Sequence, residues 1–214
     1  MAQERVAQEG ISNKRFANNQ FAPKPLGRRY VDEALLQSRR ATVPLLRPLT
    51  SADLPQLVEV YRDAVLSQTA CLYAPSQVEA WAEHAGRSGA LEEPLTAGYG
   101  VASLHTDQPS IEAFGILYPA DRLALLYCRG RSCRQGRAGA ILDTLERHAR
   151  QRGVRRLRTE ASQLSRPLLE RRGWLVEAEE TVLFAGAWFR RWRMITSLET
   201  AGPQPLAGSS GTAA

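Results

Sequence analysis

Lysine and long apolar runs are nearly missing from this sequence of 214 residues. Lysine occurs only at Lys14 and Lys24, so arginine supplies almost all of the 28 basic residues. No run approaches the ~18 consecutive apolar residues that a membrane-spanning helix requires. The first residues also lack the apolar centre of a secretory signal. We therefore expect a soluble, cytoplasmic protein that has no membrane partner.

Cysteine and histidine are too sparse to indicate a disulfide framework or a metal centre. The chain has three cysteines, at 71, 128 and 133. So small and odd a number does not indicate a disulfide framework and is typical of proteins in a reducing compartment. The three histidines occur singly, and the spacing of the last two cysteines does not fit the common zinc motifs. The sequence therefore predicts no metal site.

The basic charge is concentrated in one part of the chain. The formal net charge is +6, and between Cys128 and Arg158 lie ten arginines but only two acidic residues, Asp143 and Glu146. A positive field of this kind attracts acidic partners or phosphates. No recognition helix or aromatic and basic motif accompanies it, so nucleic acid is disfavoured as a partner.

The same part of the chain predicts a strand, a turn and a helix. An apolar run over 123–127 has the length of a buried strand, and a turn rich in arginine and glycine follows over 129–137. The first turn of the following helix has backbone N–H groups without an intrahelical partner, and the helix dipole adds positive charge there. A phosphate-bearing ligand is therefore predicted at this turn. The apolar residues at helical spacing are Ala138, Ile141, Leu142, Leu145 and Ala149.

The chain divides into one domain and two extensions. Residues 1–42 are basic, polar and interrupted by proline, and residues 197–214 are small and polar, so both are expected to be largely disordered. Residues 43–196 predict the order β-α-α-β-β-β-α-β-α-β-β. The expected fold class is α/β (α+β), with a mixed, mostly antiparallel central sheet of about six or seven strands flanked by about four helices. The strands that enter and leave the central helix should be parallel neighbours.

Element order and motifs over about residues 43–195 together resemble the GNAT superfamily of N-acetyltransferases. The family signature is Arg or Gln, two residues, Gly, one residue, and Gly or Ala, at the start of a helix that binds the pyrophosphate of coenzyme A. In the ungapped register Gly136 and Ala138 take the last two positions, and Cys133 stands where Arg or Gln is usual. A second register begins at Gln135 but needs a two-residue insertion, so the ungapped one is preferred.

Two other stretches carry the same resemblance in the same chain order. LYAPSQVEAWAE, over 72–83, resembles a segment that follows the first helix in one GNAT subgroup. ASQLSRPLLERRGWLVEAEE, over 161–180, resembles the terminal region of that subgroup. The resemblance implies a GNAT-like fold with acetyl-CoA as co-substrate.

The resemblance also implies where acetyl-CoA binds. Backbone N–H groups of about residues 134–139 would hold the pyrophosphate, and the strand end over 126–128 would splay from its neighbour and hold the thioester carbonyl. Side chains in the turn, at 129, 131, 134 and 137, are expected to add contacts to phosphates. The predicted cofactor-binding residues are Leu126, Tyr127, Cys128, Cys133, Arg134, Gln135, Gly136, Arg137, Ala138 and Gly139.

Transfer of an acetyl group to an amine requires a group or a water path that takes a proton. Glu160, at the end of the strand after the central helix, is the candidate base, and a surface salt bridge is the alternative interpretation. Glu112 is a further candidate, on a strand that should border the acceptor site.

The leaving thiolate can require an acid. Many GNAT enzymes carry a tyrosine four residues before a glycine-aromatic pair that corresponds to Gly173-Trp174, but this chain has Leu169 there. Tyr127 and Tyr73 are the remaining catalytic candidates by type, with a buried core role as the alternative for each.

The acceptor is expected to bind near the second predicted helix. Tyr73, Gln77 and Trp81 recur at a spacing of four and should share one face of that helix. We predict them as substrate-binding residues, and a stripe of core residues is the alternative.

The predicted function is N-acyl transfer, in which a primary amine attacks acetyl-CoA directly in a ternary complex. The acceptor would be a small molecule or a protein, and a homodimer is one option for the assembly. The alternative is a non-catalytic acyl-CoA-binding module in regulation or assembly, which Leu169 and Cys133 motivate because they depart from the family pattern.

Overall fold

The computed structural model describes residues 44–87 and 89–199, which contain seven strands and five α-helices. The strands are β1 Leu46–Pro48, β2 Tyr99–Leu104, β3 Ile111–Leu117, β4 Leu123–Cys128, β5 Arg156–Ala161, β6 Leu175–Phe184 and β7 Ala187–Ser197. The helices are α1 Leu54–Gln68, α2 Pro75–Arg87, α3 Glu92–Ala97, α4 Arg137–Gln151 and α5 Arg166–Arg171. The order is the predicted one with α3 added, because a helix of six residues is too short to show a helical period.

The predicted extension over 1–42 lies outside the described residues, and so does most of the predicted tail over 197–214. The limits of the domain therefore stay a prediction. None of the helices in the described ranges is long and apolar enough to cross a membrane.

The strands form two sheets, whereas the sequence predicted one central sheet. The first has the order β1-β2-β3-β4 and the second the order β5-β7-β6, and every ladder is antiparallel. The two sheets meet where Arg122, just before β4, forms a parallel bridge with Arg158 of β5. The strands around the central helix are thus parallel neighbours as predicted, and the mixed, mostly antiparallel architecture with seven strands is confirmed.

The core lies on both faces of β3, whose seven residues are all buried. Phe114 and Ile116 pack with α1 and α2 on one face, while Ala113 and Leu117 pack with α4 on the other. Gly115 permits the close approach of α4, because a Cβ atom there would lie 2.7 Å from a methyl group of Ile141. Burial on both faces explains why β3 is an apolar run without alternation.

A buried carboxylate anchors the turn before α4 to the start of β3. Glu112 is fully buried, and its carboxylate accepts hydrogen bonds from Arg131 at 2.5 and 3.0 Å, from the Ser132 hydroxyl at 2.6 Å and from the Ser110 hydroxyl at 3.0 Å. The backbone N–H of Arg129 donates to the Glu112 carbonyl at 2.8 Å. Burial acts to raise the pKa of Glu112, but the hydrogen bonds from Arg131, Ser132 and Ser110 outweigh it and lower that pKa to about 2.

These contacts correct the suggestion that Glu112 borders the acceptor site. All of its carboxylate partners are side chains of the turn and of the loop before β3. Glu112 therefore holds the turn in place.

We expect Glu112→Gln to lower the free energy of unfolding by about 2 kcal/mol at neutral pH, because the charge-assisted bonds to Arg131 are lost. The folded pKa of Glu112 lies below its ordinary value of about 4.3, so its ionised form stabilises the fold above that pH. This contribution disappears as the pH falls from about 4.3 toward 2. Urea denaturation at neutral pH and near pH 3 should show the difference between variant and wild type shrinking in acid.

The matched control is Glu170→Gln, which removes an exposed pair with Arg166 four residues away on α5. Its expected cost is about 0.5 kcal/mol or less. If Glu112→Gln were as mild as this control, the carboxylate would not anchor the turn.

Candidate functional site

A cleft opens where β4 and β5 separate. At its base the Arg158 N–H donates to the Asp121 carbonyl at 2.9 Å, and the Thr159 hydroxyl donates to the Leu123 carbonyl at 2.7 Å. Beyond Leu123 no ladder joins the two strands in the described part of the chain. The cleft has a volume of about 910 Å³.

The cleft brings together nine of the ten residues predicted to bind the cofactor. They are Leu126, Tyr127, Cys128, Cys133, Arg134, Gly136, Arg137, Ala138 and Gly139. Gln135 is outside the cleft lining, because its side chain turns back and donates to the Arg131 carbonyl at 3.1 Å. The end of β4 and the start of α4, with the turn between them, therefore line one site.

The N-terminus of α4 is open toward this cleft. Gly136 is the N-cap residue with φ of +78°, and no side chain within the described ranges caps the helix. Arg134 also has a left-handed backbone, with φ of +59°. The uncapped N–H groups and the helix dipole make this end a site for an anion.

Most of the arginines in the turn bind to other parts of the protein. Arg129 donates to the Ile111 carbonyl at 3.1 Å and pairs with Glu59, and Arg131 pairs with Glu112. Arg137 donates to the Ser103 hydroxyl at 2.9 Å and to the Leu104 carbonyl at 2.7 Å. These three side chains therefore help to fix the turn, and their expected contacts with phosphates stay a prediction.

Two other arginines are available to a ligand. Arg134, from the turn, and Arg171, from α5, both line the cleft. Neither forms a hydrogen bond or an ion pair with any residue in the described ranges. Sequence reasoning missed Arg171, because its proximity to the turn depends on how α5 packs.

Helix α1 holds the turn from the opposite side. The Gln68 amide donates to the Cys128 carbonyl at 2.6 Å and accepts from the Cys133 thiol at 2.8 Å. Asp63 accepts from the Gly130 N–H at 2.8 Å. These polar residues were also missed, although Asp63 and Gln68 on an otherwise apolar helix face were a usable signal.

Tyr127 is half-buried among aromatic side chains. Its hydroxyl accepts from the Trp81 indole N–H at 3.3 Å, and its ring centroid lies 4.2 Å from that of Tyr61. Burial raises the pKa of both tyrosines above the ordinary value, so both are protonated at neutral pH. Tyr127 lines the cleft, and its catalytic role stays a prediction.

The predicted acceptor residues do not share one helix face. α2 begins at Pro75, so Tyr73 precedes the helix, and its ring meets Trp81 edge to face at 5.5 Å. Its hydroxyl accepts from the Gln163 N–H at 2.9 Å. Gln77 accepts from the Ala74 N–H at 2.9 Å and donates to the Trp188 carbonyl at 2.5 Å. Of the three, only Trp81 lines the cleft.

Glu160, the candidate base, and Leu169, which stands where many GNAT enzymes have the acidic tyrosine, both line the cleft. Glu160 lines it but forms an ion pair with Arg122 at 2.6 Å, as in its alternative interpretation. Leu169 is buried and lines the cleft with an apolar side chain. Sequence reasoning missed the hydroxyl groups of Ser162 and Ser165, which lie 3.1 Å apart in the cleft wall.

Nothing in the described ranges suggests a metal centre, because no three His, Cys, Asp or Glu side chains are grouped to hold an ion.

The fold is similar to several solved structures. A GCN5-related N-acetyltransferase from Rhodopseudomonas palustris is 24% identical with a TM-score of 0.69, covering 73% of this chain and 96% of that one. PaiA N-acetyltransferase from Thermoplasma acidophilum, in complex with coenzyme A, is 14% identical with a TM-score of 0.54, covering 73% and 99%. A ribosomal-protein-alanine N-acetyltransferase from Brucella melitensis is 20% identical with a TM-score of 0.53, covering 72% and 99%.

No family model matches the chain, and no curated protein matches it. The structural likeness extends over almost the whole length of each of these solved chains. The chain therefore has the GNAT fold, with its cleft where β4 separates from β5.

Proposed function

We propose that this protein is an acyl-CoA-dependent N-acyltransferase that transfers an acetyl group from acetyl-CoA to a primary amine. The observation that carries the proposal is the uncapped N-terminus of α4, which opens into the cleft between β4 and β5. The structural neighbour from Thermoplasma acidophilum is a complex with coenzyme A, which supports the same class of ligand for this cleft.

The pyrophosphate would bind at the N–H groups of the turn and the first turn of α4. Arg134 and Arg171 would add charge-assisted contacts, since both guanidinium groups line the cleft without another partner in the described ranges. The thioester would lie along the open edge of β4, where backbone groups near Leu126 and Cys128 have no partner strand among the described residues on the cleft side. A backbone N–H there would stabilise the negative charge that develops on the carbonyl oxygen.

Transfer would proceed by direct attack in a ternary complex. The amine nitrogen attacks the thioester carbonyl carbon, the carbon–sulfur bond breaks, and coenzyme A leaves as a thiolate that takes up a proton. The nitrogen must lose a proton as the new amide forms, and Glu160 is the candidate carboxylate to accept that proton. Because Glu160 pairs with Arg122, it would act as a base only if that ion pair opens or if water carries the proton.

A second candidate function is a non-catalytic acyl-CoA-binding module. Two observations favour it: Leu169 supplies no acid, and the carboxylate of Glu160 is already paired. Both candidates require the ligand to bind in the same cleft, and they differ in whether acetyl groups are transferred.

Gly136→Glu should abolish binding of acetyl-CoA, because a carboxylate at the helix N-terminus repels the phosphates and blocks the N–H groups. Isothermal titration calorimetry with acetyl-CoA measures the loss. The matched control is Gly153→Glu at the opposite end of α4. Gly153 has φ of +77° and open space around its Cβ position, like Gly136 with φ of +78°.

Both substitutions therefore carry the same backbone strain, and only the first lies at the cleft. Equal affinities in the two variants would place the phosphates elsewhere. A wild type that releases no heat at millimolar acetyl-CoA would overturn both candidate functions.

Arg134→Gln combined with Arg171→Gln should weaken binding of acetyl-CoA by about tenfold, since each removes a charge-assisted contact at an exposed position. The loss should shrink in high salt, which screens such contacts. The control is Arg147→Gln, an exposed arginine on α4 ten positions beyond its first residue. A double variant that binds as tightly as this control would exclude both arginines from the site.

Thiol release with a panel of primary amines distinguishes the enzyme from the binding module. We expect release of coenzyme A with one class of amine, together with the acetylated product by mass spectrometry. Glu160→Gln should lower kcat by about 10²-fold or more if Glu160 is the base, with little change in the affinity for acetyl-CoA. An unchanged kcat would assign Glu160 to its ion pair with Arg122, and binding without transfer to any amine would favour the second candidate.

A further inference from the structure

Two cysteines lie side by side in the wall of the cleft. Cys128 ends β4, and Cys133 follows a short 3-10 helix, Gly130–Ser132. Their sulfur atoms share one carbonyl oxygen, that of Arg129, which lies 3.5 Å from the Cys128 sulfur and 3.3 Å from the Cys133 sulfur. Both residues line the cleft.

A third group couples the two cysteines. The Gln68 amide binds the Cys128 carbonyl with its nitrogen and the Cys133 thiol with its oxygen. Any movement of the Cys133 sulfur toward Cys128 therefore breaks a contact that fixes the turn to α1. Cys133 directly precedes Arg134, whose left-handed backbone shapes the approach to the helix N-terminus.

Burial raises the pKa of Cys128 to about 12 and also raises that of Cys133. Both groups are therefore thiols at neutral pH, and neither is an activated nucleophile. Oxidation by exchange is expected to be slow in reducing conditions and to require a disulfide in excess.

We propose that Cys128 and Cys133 form a reversible disulfide by exchange with a low-molecular-weight disulfide, and that this bond closes the cleft to acetyl-CoA. The second half of the proposal rests on the proposed function, whereas the formation of the disulfide does not. Intramolecular disulfides with such a role occur in reducing compartments as redox sensors.

The exchange takes two steps. The thiolate of one cysteine attacks a sulfur of the small disulfide, which forms a mixed disulfide and releases one small thiol. The thiolate of the other cysteine then attacks the protein sulfur of that mixed disulfide, which forms the Cys128–Cys133 bond and releases the second small thiol. The two protons lost by the cysteines end on the two small thiols, and the small disulfide is the oxidant.

A disulfide has a sulfur–sulfur length of about 2.05 Å, so both sulfurs must leave the Arg129 carbonyl and move toward each other. Cys133 then leaves Gln68, and the N–H groups that follow it are displaced from the phosphate position. We expect affinity for acetyl-CoA to fall by about tenfold or more, the effect of losing one hydrogen bond to a charged group.

The test uses the full chain with Cys71→Ser, which removes the exposed third cysteine. The protein is treated with oxidised glutathione at mildly alkaline pH, blocked with N-ethylmaleimide and digested with trypsin. Trypsin cleaves after Arg122, Arg129, Arg131 and Arg134, so the cysteines fall in separate peptides, residues 123–129 and 132–134. The expected product is these two peptides joined by a disulfide that dithiothreitol reverses.

Calorimetry with acetyl-CoA on the same samples tests the consequence. The Cys71→Ser protein should lose affinity on oxidation and recover it on reduction, whereas the protein with Cys133→Ser added should not change. Absence of the joined peptides, or their presence without a change in affinity, would overturn the proposal. If the reduced protein bound no acetyl-CoA but the joined peptides formed, the proposed function would fail while the disulfide stood.

Discussion

The separation of β4 from β5 is the constraint on which the site depends. One parallel bridge, Arg122 with Arg158, and the bond from Thr159 to Leu123 hold the strands together at the base of the cleft. A sheet edge left open in a protein interior exposes backbone groups that require partners. Here the open edge of β4 lies beside the uncapped N-terminus of α4, so the strand and the helix both present backbone N–H groups to one cleft.

The turn between β4 and α4 is held from three directions. Glu112 of β3 accepts hydrogen bonds from Arg131 and Ser132 of the turn. Gln68 of α1 accepts one from Cys133. Arg137, the first residue of α4, donates to the carbonyl at the end of β2. A binding site gains affinity when its donors are already ordered, because less conformational freedom is lost on binding. The arginine-rich turn is thus largely a scaffold, and only part of its charge faces the cleft.

The groups that line the cleft are better suited to binding a ligand than to transferring a proton. Three polar side chains that line the cleft already have partners: Glu160 pairs with Arg122, and the hydroxyls of Ser162 and Ser165 lie 3.1 Å apart. Tyr127 is held protonated among aromatic rings. The acyl transfer that we propose would therefore rely on orientation and backbone electrostatics more than on a dedicated acid and base.

The sequence by itself determined the local elements and the open helix end, because apolar periodicity and the glycine at 136 act over a few residues. Only the tertiary structure decided which arginine meets which partner, since a long guanidinium side chain reaches several elements and packing selects among them. The same holds for the split of the strands into two sheets and for the placement of the Cys133 thiol against the amide of Gln68. Pairings between distant segments depend on the packing of the whole domain, and no short stretch of sequence encodes them.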